Sequence, residues 1–118
     1  MKNTLVLGAT TNKMRYAYRA CEKLVSHNHP IIPVGIKKGI VFDRSIINTK
    51  EIQSDVDTIT LYIGPRHQAE WSEYILNTKP NRVIFNPGTE NEVLQQKLQE
   101  AGIFYDCLLY TSPSPRDS

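Results

Sequence analysis

The chain has 118 residues, 40% of them hydrophobic and 22% charged, which suits a single domain built around one core. Its formal charge of +2 is too mild for a nucleic-acid surface, no apolar run approaches a membrane span, and no basic stretch leads into an apolar one as in a secretory signal. Cys21 and Cys107 stand far apart without a metal-ligand spacing, so a reducing, cytoplasmic setting and no bound metal are expected.

In chain order, Thr4 to Leu7 reads as a short apolar strand that runs straight into Gly8-Ala9-Thr10-Thr11-Asn12. A helix follows from about Lys13 to His27, with Asn12 as its N-cap and Ala17, Ala20, Cys21, Leu24 and Val25 on one face. Cys21 on that face is expected to be a buried free thiol. Ile31 to Val34 is the second strand. Pro30 at its start and Pro33 inside it argue against a central place in a sheet, because proline has no N–H for the ladder. The turn-rich stretch from Gly35 to Asp57 carries a short strand pair around Gly39 to Phe42 and a brief apolar piece at Ile46-Ile47.

Thr58 to Ile63 is a β-branched third strand, broken by Gly64-Pro65. A second helix runs from about Arg66 to Asn77 with Trp71, Tyr74 and Ile75 facing inward, and Pro80 prevents its continuation. Arg82 to Phe85 is the fourth strand, followed by the loop Asn86-Pro87-Gly88. The third helix begins near Thr89 or Asn91. Thr89 with Glu92 matches a capping box, Val93, Leu94, Leu98 and Ala101 form the buried face, and Gly102 ends the helix. Ile103 to Tyr105 is a short fifth strand. These elements make one domain over residues 1–106; from Cys107 through the Ser/Pro stretch Thr111 to Ser118 the chain loses periodicity and reads as a foreign or misread extension.

Strands alternating with helices predict an α/β, Rossmann-like domain: a single doubly wound, mostly parallel five-stranded sheet with helices on both faces. Ligands of such sheets sit outside the carboxyl ends of the strands. The loops after the first, second and fourth strands are therefore expected to meet in one crevice.

The loop after the first strand has the makings of an anion site, with backbone N–H groups converging ahead of a helix. The dinucleotide fingerprint wants three glycines there, and only Gly8 is present, so a phosphate site other than the usual NAD site is expected. Thr10 and Thr11 offer hydroxyls, and Arg15, placed in the first helical turn, offers a fork of N–H donors. At the end of the second strand, Pro33-Val34-Gly35-Ile36-Lys37-Lys38 lacks the carboxylate that holds ribose hydroxyls in NAD sites and supplies two lysines instead. That pattern suits an additional ribose phosphate, as on NADP or coenzyme A. Asn86 offers a donor and an acceptor, Pro87 stiffens its turn, and Gly88 permits close backbone approach.

Each of these features also has a plain structural reading: a strand-to-helix turn, a pair of solvated lysines, a common turn sequence. His27 and His29 read as structural or solvated at a helix end, and His67, opening the second helix, is a minor candidate for facing the crevice. No nucleophile–base pair and no paired carboxylates stand out, so no catalytic residue is expected.

Taken together, Leu5-Val6-Leu7-Gly8-Ala9-Thr10-Thr11-Asn12, Arg15-Tyr16-Ala17, Ile32-Pro33-Val34-Gly35, Lys37-Lys38-Gly39, Asp57-Thr58-Ile59-Thr60-Leu61-Tyr62 and Val83-Ile84-Phe85-Asn86-Pro87-Gly88-Thr89-Glu90 resemble the small stand-alone CoA-binding proteins, relatives of the CoA-binding part of the succinyl-CoA synthetase alpha subunit. The resemblance implies coenzyme A laid across the strand ends. Gly8, Ala9, Thr10, Thr11, Asn12 and Arg15 would hold the pyrophosphate. Pro33, Val34, Gly35, Lys37 and Lys38 would flank the adenosine and its 3′-phosphate, and Ile63 to Arg66 with Asn86, Pro87 and Gly88 would line the remaining wall. The synthetase's phosphorylated histidine belongs to a further domain and does not carry over. Many relatives have a proline between the Ser/Thr and the Arg of the first loop; here the stretch is Asn12-Lys13-Met14. The expected function is non-catalytic binding of coenzyme A or an acyl-CoA. The alternatives are an NADP-binding oxidoreductase-like domain or an interaction module without a nucleotide; nucleic-acid and membrane partners are not expected, and no protein partner is implied.

Overall fold

The computed structural model describes residues 3–107; the Ser/Pro extension read from the sequence lies outside the described residues beyond Cys107. Five strands form one parallel sheet in the order β2-β1-β5-β6-β7: β1 (Asn3–Leu7), β2 (Ile31–Val34), β5 (Val56–Leu61), β6 (Arg82–Phe85) and β7 (Phe104–Cys107). A small antiparallel pair, β3 (Ile40–Val41) and β4 (Arg44–Ser45), follows β2. Three helices connect the strands: α1 (Tyr16–Ser26), α2 (Pro65–Thr78) and α3 (Glu92–Glu100).

The alternation along β1 divides the core. Leu5 and Leu7 face one side, where they pack with Ile59, Leu61, Val83 and Phe85 against Ile75 of α2 and Leu94 and Leu98 of α3. Val6 faces the other side and joins Ala17 and Cys21 of α1, with Ile31 and Val41. Burial on both sides is why the central strands are near-continuous apolar runs. Burial also raises the Cys21 thiol from its ordinary value of 9.0 to about 11.

The two prolines place β2 where the sequence implied, at the sheet edge. The Pro33 carbonyl accepts from Ile47 N–H at 2.9 Å, on the side away from β1. The missing proline N–H falls on that same outer side, so the ladder to β1 loses nothing. The Ile46-Ile47 piece then covers this edge through a parallel bridge between Val34 and Ile47. The β3–β4 connection uses Phe42 and Asp43 at φ 49° and 66°, the left-handed pair of a tight hairpin turn.

Several sequence expectations shift. Asn12 is not the N-cap of the first helix. Its Oδ1 accepts from Met14 N–H at 3.0 Å and its carbonyl from Arg15 N–H, closing a turn of its own. The helix starts three residues later than expected, with Arg15 in the cap position rather than inside the first turn and with no side-chain cap bond. For α3 the cap is Asn91, accepting from Val93 and Leu94 N–H. The Thr89 hydroxyl instead donates to the Asn86 carbonyl at 2.7 Å, so the expected capping box does not form. Val93 is 66% exposed and Ala101 is exposed as well; only Leu94 and Leu98, one turn apart, reach the core. The last strand runs to Cys107, two residues past the Tyr105 end read from the pattern.

Candidate functional site

The carboxyl ends of β2, β1, β5 and β6 open onto a cleft of about 600 Å³. Its floor is the Gly8–Asn12 loop, and Arg15, Tyr16 and Ala17 rise from the start of α1. Ile36, Lys37 and Lys38 close the β2 side, while Tyr62, Ile63 and His67 line the β5 side and Pro87 and Thr89 the β6 side. The loops expected to converge do so, and the loop after β5 joins them.

Backbone fit builds this floor. Gly8 and Ala9 N–H both donate to the Val34 carbonyl, at 2.8 and 2.9 Å, which locks the first loop against the end of β2. Gly8 sits at φ +106°, a conformation L side chains rarely adopt. A Cβ on Gly35 would run into the Ala9 carbonyl oxygen, and one on Gly39 would lie 2.6 Å from Thr11 Cγ2. The two glycines after β2 thus let that connection lie directly on the first loop. Within the loop, Thr10 Oγ1 accepts from Asn12 N–H at 3.1 Å.

The far wall is held from below. Gln68, fully buried, donates through Nε2 to the Ile63 carbonyl at 2.9 Å and the Thr89 carbonyl at 2.6 Å, tying the start of α2 to the loop after β6. Its Oε1 accepts from Asn91 Nδ2 at 3.1 Å. Asn86 Nδ2 donates to Thr60 Oγ1 and the Leu61 carbonyl, both at 2.7 Å. Tyr62 sits half-buried at the cleft. Burial pushes its phenol up, a side-chain hydrogen bond with Thr60 works the other way, and the neighbouring Cys21 adds a smaller upward push.

Of the residues singled out from the sequence, Gly8, Ala9, Thr10, Thr11, Asn12, Arg15, Lys37, Lys38, Ile63 and Pro87 line the cleft. Pro33, Val34 and Gly35 are buried beneath its edge and act through the backbone. Asn86 is likewise buried, with its amide committed to β5, and Gly88, at φ +88°, donates its N–H to Glu90 Oε1 rather than facing the cleft. His67 lies in the wall, whereas His27 and His29 are exposed at the end of α1. Sequence reasoning passed over Tyr16, Ile36, Tyr62 and Gln68. Ile36 and Tyr62 could have been found as neighbours of Lys37 and Ile63 at strand ends. Gln68 carried no local signal, since its partners lie in two distant loops.

A glycine-bent loop under a cleft with lysines at the β2 end is the arrangement that the resemblance anticipated, and comparison with known families decides its membership. The family profile described as a CoA binding domain matches residues 2–112. The chain belongs to this CoA binding domain family. Among solved structures, this CoA binding domain is similar to an uncharacterized protein at 54% identity and TM-score 0.89, covering 92% of this chain and 90% of the other. It shares its fold with a conserved hypothetical protein from Pyrococcus furiosus, at 21% identity and TM-score 0.81 over 91% and 93% of the two chains. A Thermus thermophilus protein shows the same fold at 21% identity and TM-score 0.83, over 90% and 81%. No curated protein matches the sequence.

Proposed function

We propose that this CoA binding domain holds coenzyme A, or an acyl-CoA, in the cleft and does not transform it. The observation that carries the reading is the cleft itself. Loops from four strand ends surround one space, its floor keeps the Thr10 and Thr11 N–H groups apart from the bonds that Gly8 and Ala9 make to Val34, and its lining includes Arg15, Lys37 and Lys38 but no aspartate or glutamate among the described residues. A polyanion fits this lining. The diphosphate suits the Gly8–Asn12 loop with Arg15, and the 3′-phosphate suits Lys37 and Lys38 at the end of β2, where no acid waits for a ribose diol. The non-catalytic part rests on the lining too: it pairs no acid with a base and offers no activated nucleophile.

The same lysines would accept the 2′-phosphate of NADP. Isothermal titration against coenzyme A, dephospho-CoA and NADPH separates these readings. Preference for coenzyme A over both others is the expected result. A preference for NADPH would replace this reading with the dinucleotide one, and heat from none of the three would leave an interaction module.

A further inference from the structure

Resting on that reading, the geometry points to a selective acyl site: we infer that the β5–β6 end of the cleft receives an acyl group ending in a carboxylate, and that His67 reads it. The order of strands across the cleft fixes a direction. Lys37 and Lys38 stand after β2, the Gly8–Asn12 loop after β1, His67 after β5, and Pro87 and Thr89 after β6. Neighbouring strands lie about 4.8 Å apart, so the lysine end and the Pro87 end are separated by roughly 14 Å of sheet. A coenzyme A with its 3′-phosphate at the lysines and its diphosphate at the central loop has one way left to run. Its pantetheine arm and thioester point toward Tyr62, His67 and Pro87.

Basic groups at the β2 and β1 positions are matched by phosphates. Lys37 and Lys38 answer the 3′-phosphate, and Arg15 with the loop amides answers the diphosphate. His67 is left over, at the end where the ligand carries no phosphate. Of the other residues at this end, Tyr62 has a phenol whose side-chain hydrogen bond goes to Thr60. Ile63 and Pro87 are apolar, and the Thr89 hydroxyl is already spent on the Asn86 carbonyl. Among the described residues no carboxylate lines this end to neutralise an imidazole, and a ring N–H of His67 donates to a carboxylate in either charge state.

Acyl pairs of equal length isolate the carboxylate: malonyl-CoA against butyryl-CoA, and succinyl-CoA against pentanoyl-CoA, titrated calorimetrically into the full chain. Each acidic member is expected to bind about fivefold or more tightly than its neutral partner, the scale of one charge-assisted hydrogen bond in a partly solvated cleft. His67→Ala should bring both ratios to one, and His67→Arg should keep them above one; the side chain is exposed, so both variants retain the fold. Equal affinity within each pair, or a ratio that survives His67→Ala, overturns the inference. If unacylated coenzyme A itself fails to bind, the reading of the cleft falls with it; if coenzyme A binds and the ratios are flat, only the acyl assignment falls.

Discussion

Single side chains in this protein divide into those that face the cleft and those that shape the floor beneath it. Lys37 and Lys38 are exposed at the cleft rim and cost the fold nothing to change. Replacing both with alanine is expected to weaken coenzyme A by ~2–4 kcal/mol and leave dephospho-CoA almost untouched, measured by titration calorimetry. Gly35 is the opposite case. Any side chain there meets the Ala9 carbonyl, so Gly35→Ala should lower stability by about 1–3 kcal/mol in urea denaturation, with the first loop displaced as well. Cys21 reports on packing through its proton. The folded thiol holds that proton up to about 11, while an unfolded one releases it near 9.0. Between those values the folded state binds more protons, so stability falls as pH rises through the window. Melting curves from pH 8 to 11 should fall less steeply for Cys21→Ala than for the parent chain. These residues differed in how readily they could be read. The lysines and glycines announced themselves by type and place, whereas Gln68 owes its role to two carbonyls from separate loops that only folding brings within reach.

At the scale of elements, the five strands of the sheet were legible to within two residues (the third, expected at Thr58 to Ile63, runs from Val56 to Leu61) because the central strands are buried on both faces and the sequence shows it as apolar runs. Helix starts were read less evenly: α2 begins one residue from the expected Arg66 and Asn91, one of two expected starts, caps α3, whereas α1 begins three residues late. Asn12 and Asn91 look alike as caps in the sequence. One closes an isolated turn ahead of α1, while the other receives two helical N–H groups and braces Gln68 with its amide. Asn91→Ala is therefore expected to cost ~1–2 kcal/mol, and Asn12→Ala clearly less, in parallel thermal or chemical denaturation. The misplaced inner face of α3 has a similar cause. Val93 and Ala101 fit a helical stripe, but α3 meets α2 and the sheet along a narrow seam that Leu94 and Leu98 fill by themselves.

For the molecule as a whole, floor and walls of the cleft belong to different parts of the chain, so a bound ligand ties those parts together. Coenzyme A at a hundredfold excess over its dissociation constant should stabilise the fold by about 2.7 kcal/mol, read as a rise in melting temperature that NADPH does not match. The sequence alone determined the alternation of strand and helix, the edge position of β2 and the concentration of candidate ligand groups at strand ends. These follow from periodicity, from the missing N–H of proline and from residue type, all properties of neighbours along the chain. Which of those groups share one space was decided only by the tertiary structure. The order β2-β1-β5-β6-β7 puts His67 and Pro87 across from Lys37, while the hydrogen bonds of Asn86 to β5 draw it beneath the surface. Such outcomes depend on contacts between residues far apart in the chain, and no local pattern carries that information.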